Sequence, residues 1–234
     1  MQLRRTCLGL LTLVLLAAPA LAACGGDDTK ESPAQLLARA KSVLDKADSA
    51  HFVLDSTGAP DTGTALVGGQ GDIARPASFQ GTLKVLALGS TLDLTVVSVD
   101  GTVYAQLPFT SSFSVVDPAQ FGFGDPGALL DPETGISQLL AEAQSVKQGK
   151  QRRVGGEVVD EVTAELPGDL VEQVLTSQDP SEPVHATFSI AADSGELRRA
   201  ELTGPVFSAG DDATFTLELS DFGADVQITA PPAG

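Results

Sequence analysis

The sequence contains few of the residues from which catalytic and metal sites are usually built. Among its 234 residues there are two histidines, two cysteines, one tyrosine and no tryptophan. A zinc site needs three or four His, Cys or carboxylate ligands, yet His51 and His185 lie far apart with no paired spacing. The Gly-x-Ser-x-Gly nucleophile motif is also absent. We therefore predict no catalytic residues, no metal site and no enzyme activity.

Basic residues are scarce as well. The chain has 14 Lys and Arg residues against 31 Asp and Glu residues, which gives a net charge of −17. Such a chain repels the phosphates of nucleic acids and the headgroups of anionic lipids. We predict that it binds no nucleic acid and that any membrane attachment is hydrophobic.

The longest apolar run, at residues 8–21, is shorter than the ~20 residues that a membrane-spanning helix needs. Arg4 and Arg5 precede the run, and the small residues Ala22 and Ala23 follow it. This order is typical of a signal peptide. We therefore interpret residues 1–23 as a signal peptide that is removed.

The cleavage site carries a more specific pattern. Leu21-Ala22-Ala23-Cys24 resembles the bacterial lipobox, in which the chain is cut before the cysteine. The thiol then carries a diacylglyceryl group, with palmitate-type chains, through a thioether. The alternative is an ordinary secretory signal with a chance cysteine. We favour the lipobox and predict cleavage between Ala23 and Cys24, lipidation of Cys24 and no other cofactor.

After this cleavage Cys24 is the only cysteine, so no internal disulfide can form. Loss of Arg4 and Arg5 leaves 12 basic and 31 acidic residues, a net charge of −19. Residues 24–31 read as a flexible tether, and residues 32–234 as one domain with its own core. We expect a lipid-anchored monomer on the outer face of the cytoplasmic membrane, within the cell envelope.

Three segments show helical spacing of apolar residues. The first follows Ser32-Pro33-Ala34-Gln35, which fits a capping box with proline at the first helical position. Its apolar stripe predicts a helix that ends near Ser49. Residues 135–146 and 167–177 are the second and third predicted helices.

Most of the remaining chain alternates between apolar and polar residues, as half-buried strands do. The predicted strands lie at residues 51–55, 91–96, 102–107, 158–166, 184–191 and 214–220. Glycine-rich turns separate them at short intervals, which indicates antiparallel meanders. The predicted fold is therefore α+β, a single domain in which helices cover the apolar face of a large curved antiparallel sheet. Periodicity leaves open whether the space between them is filled or forms a cavity.

Two further patterns have a functional and a structural interpretation. Residues 122–127 match the dinucleotide fingerprint Gly-x-Gly-x-x-Gly, but a proline lies inside the match and no strand precedes it, so we interpret them as a loop. The second pattern is a basic cluster formed by Lys147, Lys150, Arg152 and Arg153. The cluster could contact an anionic headgroup or an acidic partner. We favour a solvated helix C-terminus, where cations suit the helix dipole, followed by a hairpin edge.

Four segments occur in order at residues 71–76 (Gly-Asp-Ile-Ala-Arg-Pro), 97–104 (Val-Ser-Val-Asp-Gly-Thr-Val-Tyr), 125–136 and 226–231. Their order and spacing resemble the LppX/LprAFG lipoproteins of mycobacteria and related actinobacteria. Phe113 departs from the family pattern, which often has tryptophan there. The resemblance implies a half-barrel sheet of the LolA/LolB-like kind, with helices on its concave face around an apolar cavity. It implies no catalytic residues.

The implied function is the binding of acylated lipids or lipoglycans and their transport across the cell envelope, with a possible envelope transporter as partner. Our candidate residues for the cavity lining are Leu139, Leu140, Val174 and Leu175, and core packing is the equally weighted alternative for each. Two other functions remain in competition with the carrier. One is a non-catalytic interaction or scaffold lipoprotein with a filled core, and the other, less favoured, is an envelope hydrolase.

Overall fold

The first predicted helix forms and is capped as expected, but it ends early. A computed structural model describes residues 31–59, 63–175, 179–208 and 211–232, and in it α1 spans Pro33–Leu44. Ser32 and Gln35 form the reciprocal hydrogen bonds of the capping box. The predicted end near Ser49 is wrong. Arg75 donates hydrogen bonds to the carbonyls of Leu44 and Ala47, and these bonds replace the ones that a longer helix would make.

Eleven antiparallel strands form one sheet in the described part of the chain. They are β1 Ser49–Thr57, β2 Ala65–Ala74, β3 Ser78–Ala87, β4 Ser90–Val99, β5 Thr102–Gln106, β6 Ser114–Val115, β7 Gln144–Val154, β8 Glu157–Leu166, β9 Val184–Ala191, β10 Leu197–Ser208 and β11 Asp211–Ser220. The predicted α+β fold, a single domain with a large open antiparallel sheet, is confirmed.

The sheet consists of two meanders that meet at its centre. Its order is β6-β5-β4-β3-β2-β1-β11-β10-β9-β8-β7, so the first and last strands are direct neighbours. Phe52 of β1 pairs with Leu219 of β11, and both side chains are buried. The centre of the sheet is therefore complete only when the C-terminal strand has been added.

Two glycines allow β2 and β3 to approach an aromatic side chain closely. Gly71 and Gly81 face each other across the two strands, and a Cβ atom on either would clash with backbone and with the ring of Phe79. Phe79 is fully buried and lies 5.5 Å, between ring centroids, from Phe52. The glycine pair thus makes room for an aromatic pair in the core.

The other two helices are shorter than predicted. α2 spans Ile136–Ala141 and α3 spans Gly168–Val171. Residue 146 lies in β7 instead of α2, because β7 pairs with β8 from Gln144 onward and the helical spacing there was coincidental. Two 3-10 turns, Pro118–Phe121 and Pro126–Leu130, precede α2. Over the described ranges, no helix combines the length and apolar content needed to cross a bilayer.

α1 covers only one end of the sheet's apolar face. Arg39 of α1 donates a hydrogen bond to the carbonyl of Ala192, after β9, and Arg75, after β2, donates to the carbonyl of Leu44, the last residue of α1. Both contacts lie at the end where β1 begins and β2 ends. We call this the filled end, since Leu36, Leu37, Ala40 and Leu44 of α1 are all buried there.

Candidate functional site

An apolar cavity of about 410 Å³ lies between the sheet and its cover. One wall of the cavity is formed by the four central strands of the sheet, β2, β1, β11 and β10, together with β3. Its side chains occupy alternate positions, as residues on one face of a strand do. They are Phe52, Leu54, Leu66, Leu83, Ala200, Leu202, Phe215 and Leu217.

This cavity lies toward the opposite end from α1, where β1 ends and β2 begins, which we call the hollow end. Leu54 lies near the end of β1 and Leu66 near the beginning of β2. The four buried residues of α1 are not part of the wall. The cavity therefore occupies the part of the apolar face that α1 does not reach.

The cover over the cavity is built from short elements. Phe123 and Leu175 form an isolated antiparallel bridge between two cover segments. The Asp125 carboxylate accepts hydrogen bonds from Ser98 Oγ of β4 at 2.6 Å and from the Gly127 N–H at 2.8 Å. These bonds fix one cover segment to the sheet near the end of β4, on the side where β2 also ends. The segment consists of two 3-10 turns, preceded only by the two-residue edge strand β6, and no α-helix opens from residues 122–127, so it lacks the context of a dinucleotide site.

The cavity wall has a small polar portion. Asp125, Thr134 and Gln173 are its polar members besides backbone groups, and Thr134 and Gln173 are exposed to solvent. The remaining lining side chains are apolar. The arrangement is an apolar interior with a polar rim, which suits a ligand with an apolar body and a polar end.

Asp131 holds the loop that carries Thr134. Its carboxylate accepts hydrogen bonds from the backbone N–H groups of Glu133 at 2.7 Å and Thr134 at 3.0 Å. The bond from Glu133, aided by Thr134, outweighs partial burial and holds the pKa of Asp131 below its ordinary value. The rim loop is therefore fixed most firmly when Asp131 is ionised.

Three of the four residues predicted to line the cavity do so, and one does not. Leu139, Val174 and Leu175 lie in the cavity wall, whereas Leu140 is buried but does not line the cavity. Adjacent residues of α2 point about 100° apart, so Leu139 can face the cavity while Leu140 packs into the core beside it. Whether the three wall residues contact a ligand stays a prediction.

Sequence reasoning missed the sheet side of the cavity altogether. The signal for it was present, because Phe215 and Leu217 lie in the predicted strand at residues 214–220 and alternate with polar residues. Alternation identifies the apolar face of a strand, but it does not show which residues of that face border an unfilled space. Cys24 and Ala23, the predicted lipidation and cleavage residues, lie outside the described residues.

The two histidines are held by carboxylates on neighbouring strands. His51 Nδ1 lies 2.7 Å from Asp72 Oδ1, and His185 Nδ1 lies 3.8 Å from Glu165 Oε1. Each pair spans two adjacent strands, and neither pair lies in the cavity wall. Within the described ranges no group of three or more His, Cys, Asp or Glu side chains is arranged to hold a metal ion.

The basic cluster lies on β7, an edge strand, and not at a helix C-terminus as predicted. Lys147 and Lys150 are exposed there. Arg152 pairs with Glu161 of β8 at 2.8 Å, and Arg153 donates to the carbonyl of Gly156. Charged side chains on an edge strand oppose pairing with a further strand, and the position of the cluster on β7 is of that kind.

The fold and the cavity together define a half-barrel protein: an open antiparallel sheet whose covered face encloses an apolar cavity. Residues 32–228 match the model of the LppX_LprAFG lipoprotein family. The chain belongs to that family, which confirms the resemblance seen in the sequence.

Relatives within the family match nearly the whole chain. The Lipoarabinomannan carrier protein LprG of Mycolicibacterium hassiacum is 30% identical over 243 residues, covering 100% of both chains. LprG of Mycobacterium tuberculosis is 29% identical over 241 residues, covering 98% of each chain.

Solved structures show the same fold. LprF from Mycobacterium bovis aligns with a TM-score of 0.70 at 18% identity, covering 86% of this chain and 97% of that one. Lipoprotein LppX from Mycobacterium tuberculosis aligns with a TM-score of 0.60 at 19% identity, covering 83% of this chain and 98% of that one.

Proposed function

We propose that this protein is a lipid carrier of the cell envelope. It binds acylated lipids or lipoglycans, with apolar tails in the cavity and the polar end at the rim, and carries them across the envelope. The single observation that supports this most directly is the apolar cavity with its polar rim. The names of the LprG relatives, which are carriers of lipoarabinomannan, point in the same direction.

The energetic reason for a carrier is the cost of exposing acyl chains to water. Each methylene contributes roughly 0.8 kcal/mol, so one chain of about 15 methylenes costs on the order of 12 kcal/mol in water. A wall of Leu, Phe, Val and Ala side chains offers a second apolar environment. The free energy of transferring an acyl chain from the bilayer to the protein is then close to zero.

The cavity volume limits what can be bound without rearrangement. That volume of about 410 Å³ lies in the lower part of the roughly 300–1,000 Å³ range of ligand pockets. A lipid with two or more long tails therefore requires the cover to move. The contact between Phe123 and Leu175 is the part of the cover that joins its two segments, so it is where we expect such a movement.

A test is to weigh the processed protein purified from an actinobacterial host. Denaturing mass spectrometry gives the covalent mass, including any anchor, and native mass spectrometry gives the mass with bound ligand. We expect the native mass to exceed the covalent mass by that of an acylated lipid. Equal masses in both measurements would contradict the carrier function.

Ala200→Phe is the variant that tests the location of the ligand. Ala200 lies in the cavity wall, so a phenyl ring there should displace bound lipid. Glu201→Phe is the matched control, because the same ring one residue along β10 points away from the cavity. If Glu201→Phe lowers lipid content as much as Ala200→Phe does, the ligand does not lie in the cavity.

The anchor belongs to the same proposal. Removal of residues 1–23 exposes Cys24 for lipidation, residues 24–31 act as a tether, and residues 32–234 form the carrier domain. The mature net charge of −19 disfavours electrostatic attachment to anionic lipids. Cys24→Ser should leave the precursor uncleaved by the lipoprotein peptidase, as a shift on a denaturing gel reports. A Cys24→Ser chain that still incorporates labelled palmitate would disprove the anchor.

The cavity favours the carrier over a scaffold with a filled core, since a filled core leaves no space for a ligand. The carrier works without catalysis, as a monomer on the outer face of the cytoplasmic membrane. An envelope transporter is the partner expected to supply or remove its lipid.

A further inference from the structure

One corner of the protein exposes large apolar side chains where most proteins place polar ones. Leu88 is 100% exposed in the turn between β3 and β4, and Phe109 is likewise fully exposed in the turn after β5. Both turns lie at the hollow end, since β3 and β5 end there. β4 and β5 are hydrogen-bonded neighbours, so the two turns belong to adjacent hairpins.

Both residues also adopt backbone conformations that bulky side chains avoid. Leu88 has φ 54° and is followed by Gly89 with φ 73°, in a two-residue hairpin that normally carries Asn-Gly. Phe109 has φ 69° at the third position of the turn closed by the hydrogen bond from Thr110 N–H to the Leu107 carbonyl, where glycine is usual. Neither stability nor solubility explains an exposed Leu and an exposed Phe at these positions.

The two hairpin segments that form this corner contain no charged residue, although the protein is very acidic. Residues 85–92 and 102–116 contain no Asp, Glu, Lys or Arg. The charges that flank the first stretch, Lys84 and Asp93, form an ion pair with each other at 3.3 Å. This part of the surface therefore escapes the repulsion that the acidic chain experiences near anionic headgroups.

The corner shares a hairpin with the cavity wall. Leu83 lines the cavity and lies five residues before Leu88 on the same hairpin. At about 3.3 Å per residue, the tip lies roughly 17 Å beyond the wall. A surface that contacts a bilayer here would bring the hollow end to the membrane.

We propose that Leu88 and Phe109 form a membrane-docking surface that inserts into the interfacial region of a lipid bilayer. Exposed apolar tips without neighbouring charge suit a lipid interface, which takes apolar side chains and disfavours carboxylates. This goes beyond the carrier function, because a carrier can also receive its ligand from a partner protein without touching the bilayer.

The test uses the absence of tryptophan from the natural chain. Leu88→Trp and Phe109→Trp each place a single fluorophore in the processed, lipid-anchored protein, which is reconstituted in phosphatidylcholine vesicles with or without brominated lipid. Glu218→Trp is the control, since Glu218 is exposed on the outward face of the central strand β11. We expect the two tip tryptophans, and not the control, to show blue-shifted emission that brominated lipid quenches.

A second substitution tests whether the two tips act together. Burying one large apolar side chain raises affinity by roughly tenfold or more, so Phe109→Asp should reduce insertion of Leu88→Trp about tenfold. Tip emission equal to that of the control overturns the proposal. A blue shift without quenching by brominated lipid also overturns it, because the tips are then buried against protein. Lipid content by native mass spectrometry is measured separately, so the docking surface and the carrier function can fail independently.

Discussion

The two ends of the covered face are built from the same kinds of strand, yet one is solid and the other encloses a cavity. At the filled end a three-turn helix, α1, places four buried apolar residues against the sheet. Over the cavity the cover consists of α2, two 3-10 turns and the bridge between Phe123 and Leu175. A long helix presents a continuous apolar stripe, whereas short elements leave gaps between them. The difference shows that the length of the covering element decides where this sheet keeps a cavity.

The two ends should differ most in the stability lost when one leucine in each is replaced with alanine. Leu36→Ala at the filled end should lower the free energy of unfolding by about 3 kcal/mol, because a cavity opens in a packed core. Leu217→Ala at the hollow end should cost about 1 kcal/mol, since Leu217 already borders empty space. Urea unfolding of lipid-free protein measures both. Equal losses would mean that the two ends are packed alike.

Replacing one alanine with phenylalanine at each end should give the next largest difference in stability. Ala40→Phe on α1 should destabilise the protein by about 2–3 kcal/mol, because overpacking forces neighbours out of their rotamers. Ala200→Phe should cost less than about 1 kcal/mol, since the ring enters the cavity. Thermal unfolding of the two variants side by side checks the difference. A large loss for Ala200→Phe would show that the cavity cannot accept a side chain, and would weaken the case for a ligand there.

The residue that joins the two ends is Asp45. It caps α1 and accepts hydrogen bonds from Lys41 Nζ and from Ser137 Oγ on α2. Burial alone would raise the pKa of Asp45, but the bonds from Lys41 and Ser137 outweigh it and hold the pKa below the ordinary value. Its folded pKa is thus below its unfolded one. The stability that it contributes is present above about pH 4 and is lost as pH falls through the folded pKa.

Asp45→Asn should therefore lower the free energy of unfolding at pH 7 by about 1 kcal/mol. Below about pH 4 the difference between the variant and the natural protein should shrink, and it should vanish once the pH is below the folded pKa of Asp45, because protonation then removes the charge. Asp131 also has a lowered pKa, but it is common to both chains and cancels in the difference. Urea unfolding at pH 7 and pH 3 gives the two differences, and a gap that stays constant between them would contradict this role.

From the sequence, the elements of the filled end could be predicted far better than those of the hollow end. The capping box of Ser32 and Gln35 and the stripe that follows it are local signals, and they predicted α1 correctly up to its last turn. β2 was missed because Gly68, Gly69 and Gly71 are poor strand formers. Their role is visible only across the sheet, where Gly71 meets Gly81. Local periodicity does not predict which distant segments pair with each other.

The cavity was predicted only through the family resemblance, for a physical reason. Apolar periodicity identifies which side of a strand or helix is covered, and it is the same for a residue in a packed core and for one beside a cavity. Leu139 and Leu140 illustrate this, since both are buried and only Leu139 borders the cavity. The difference depends on the length and position of the cover, which tertiary structure sets. The helix predicted at residues 135–146 extended too far for another reason. Its last residues belong to β7, whose pairing with β8 is irregular, and their apolar spacing matched that of a helix by coincidence.

The smallest effect should come from the outward face of the sheet, which belongs to neither end. Lys84 and Asp93 form an ion pair there, with side chains that are 52% and 64% exposed. Exposed pairs contribute little, because solvent screens the charges and two flexible side chains must be ordered. Lys84→Ala should change the free energy of unfolding by less than about 0.5 kcal/mol and leave lipid content unaltered. A larger loss would place part of the stability on the outward face, and the contrast between the filled and hollow ends would then explain less of this fold.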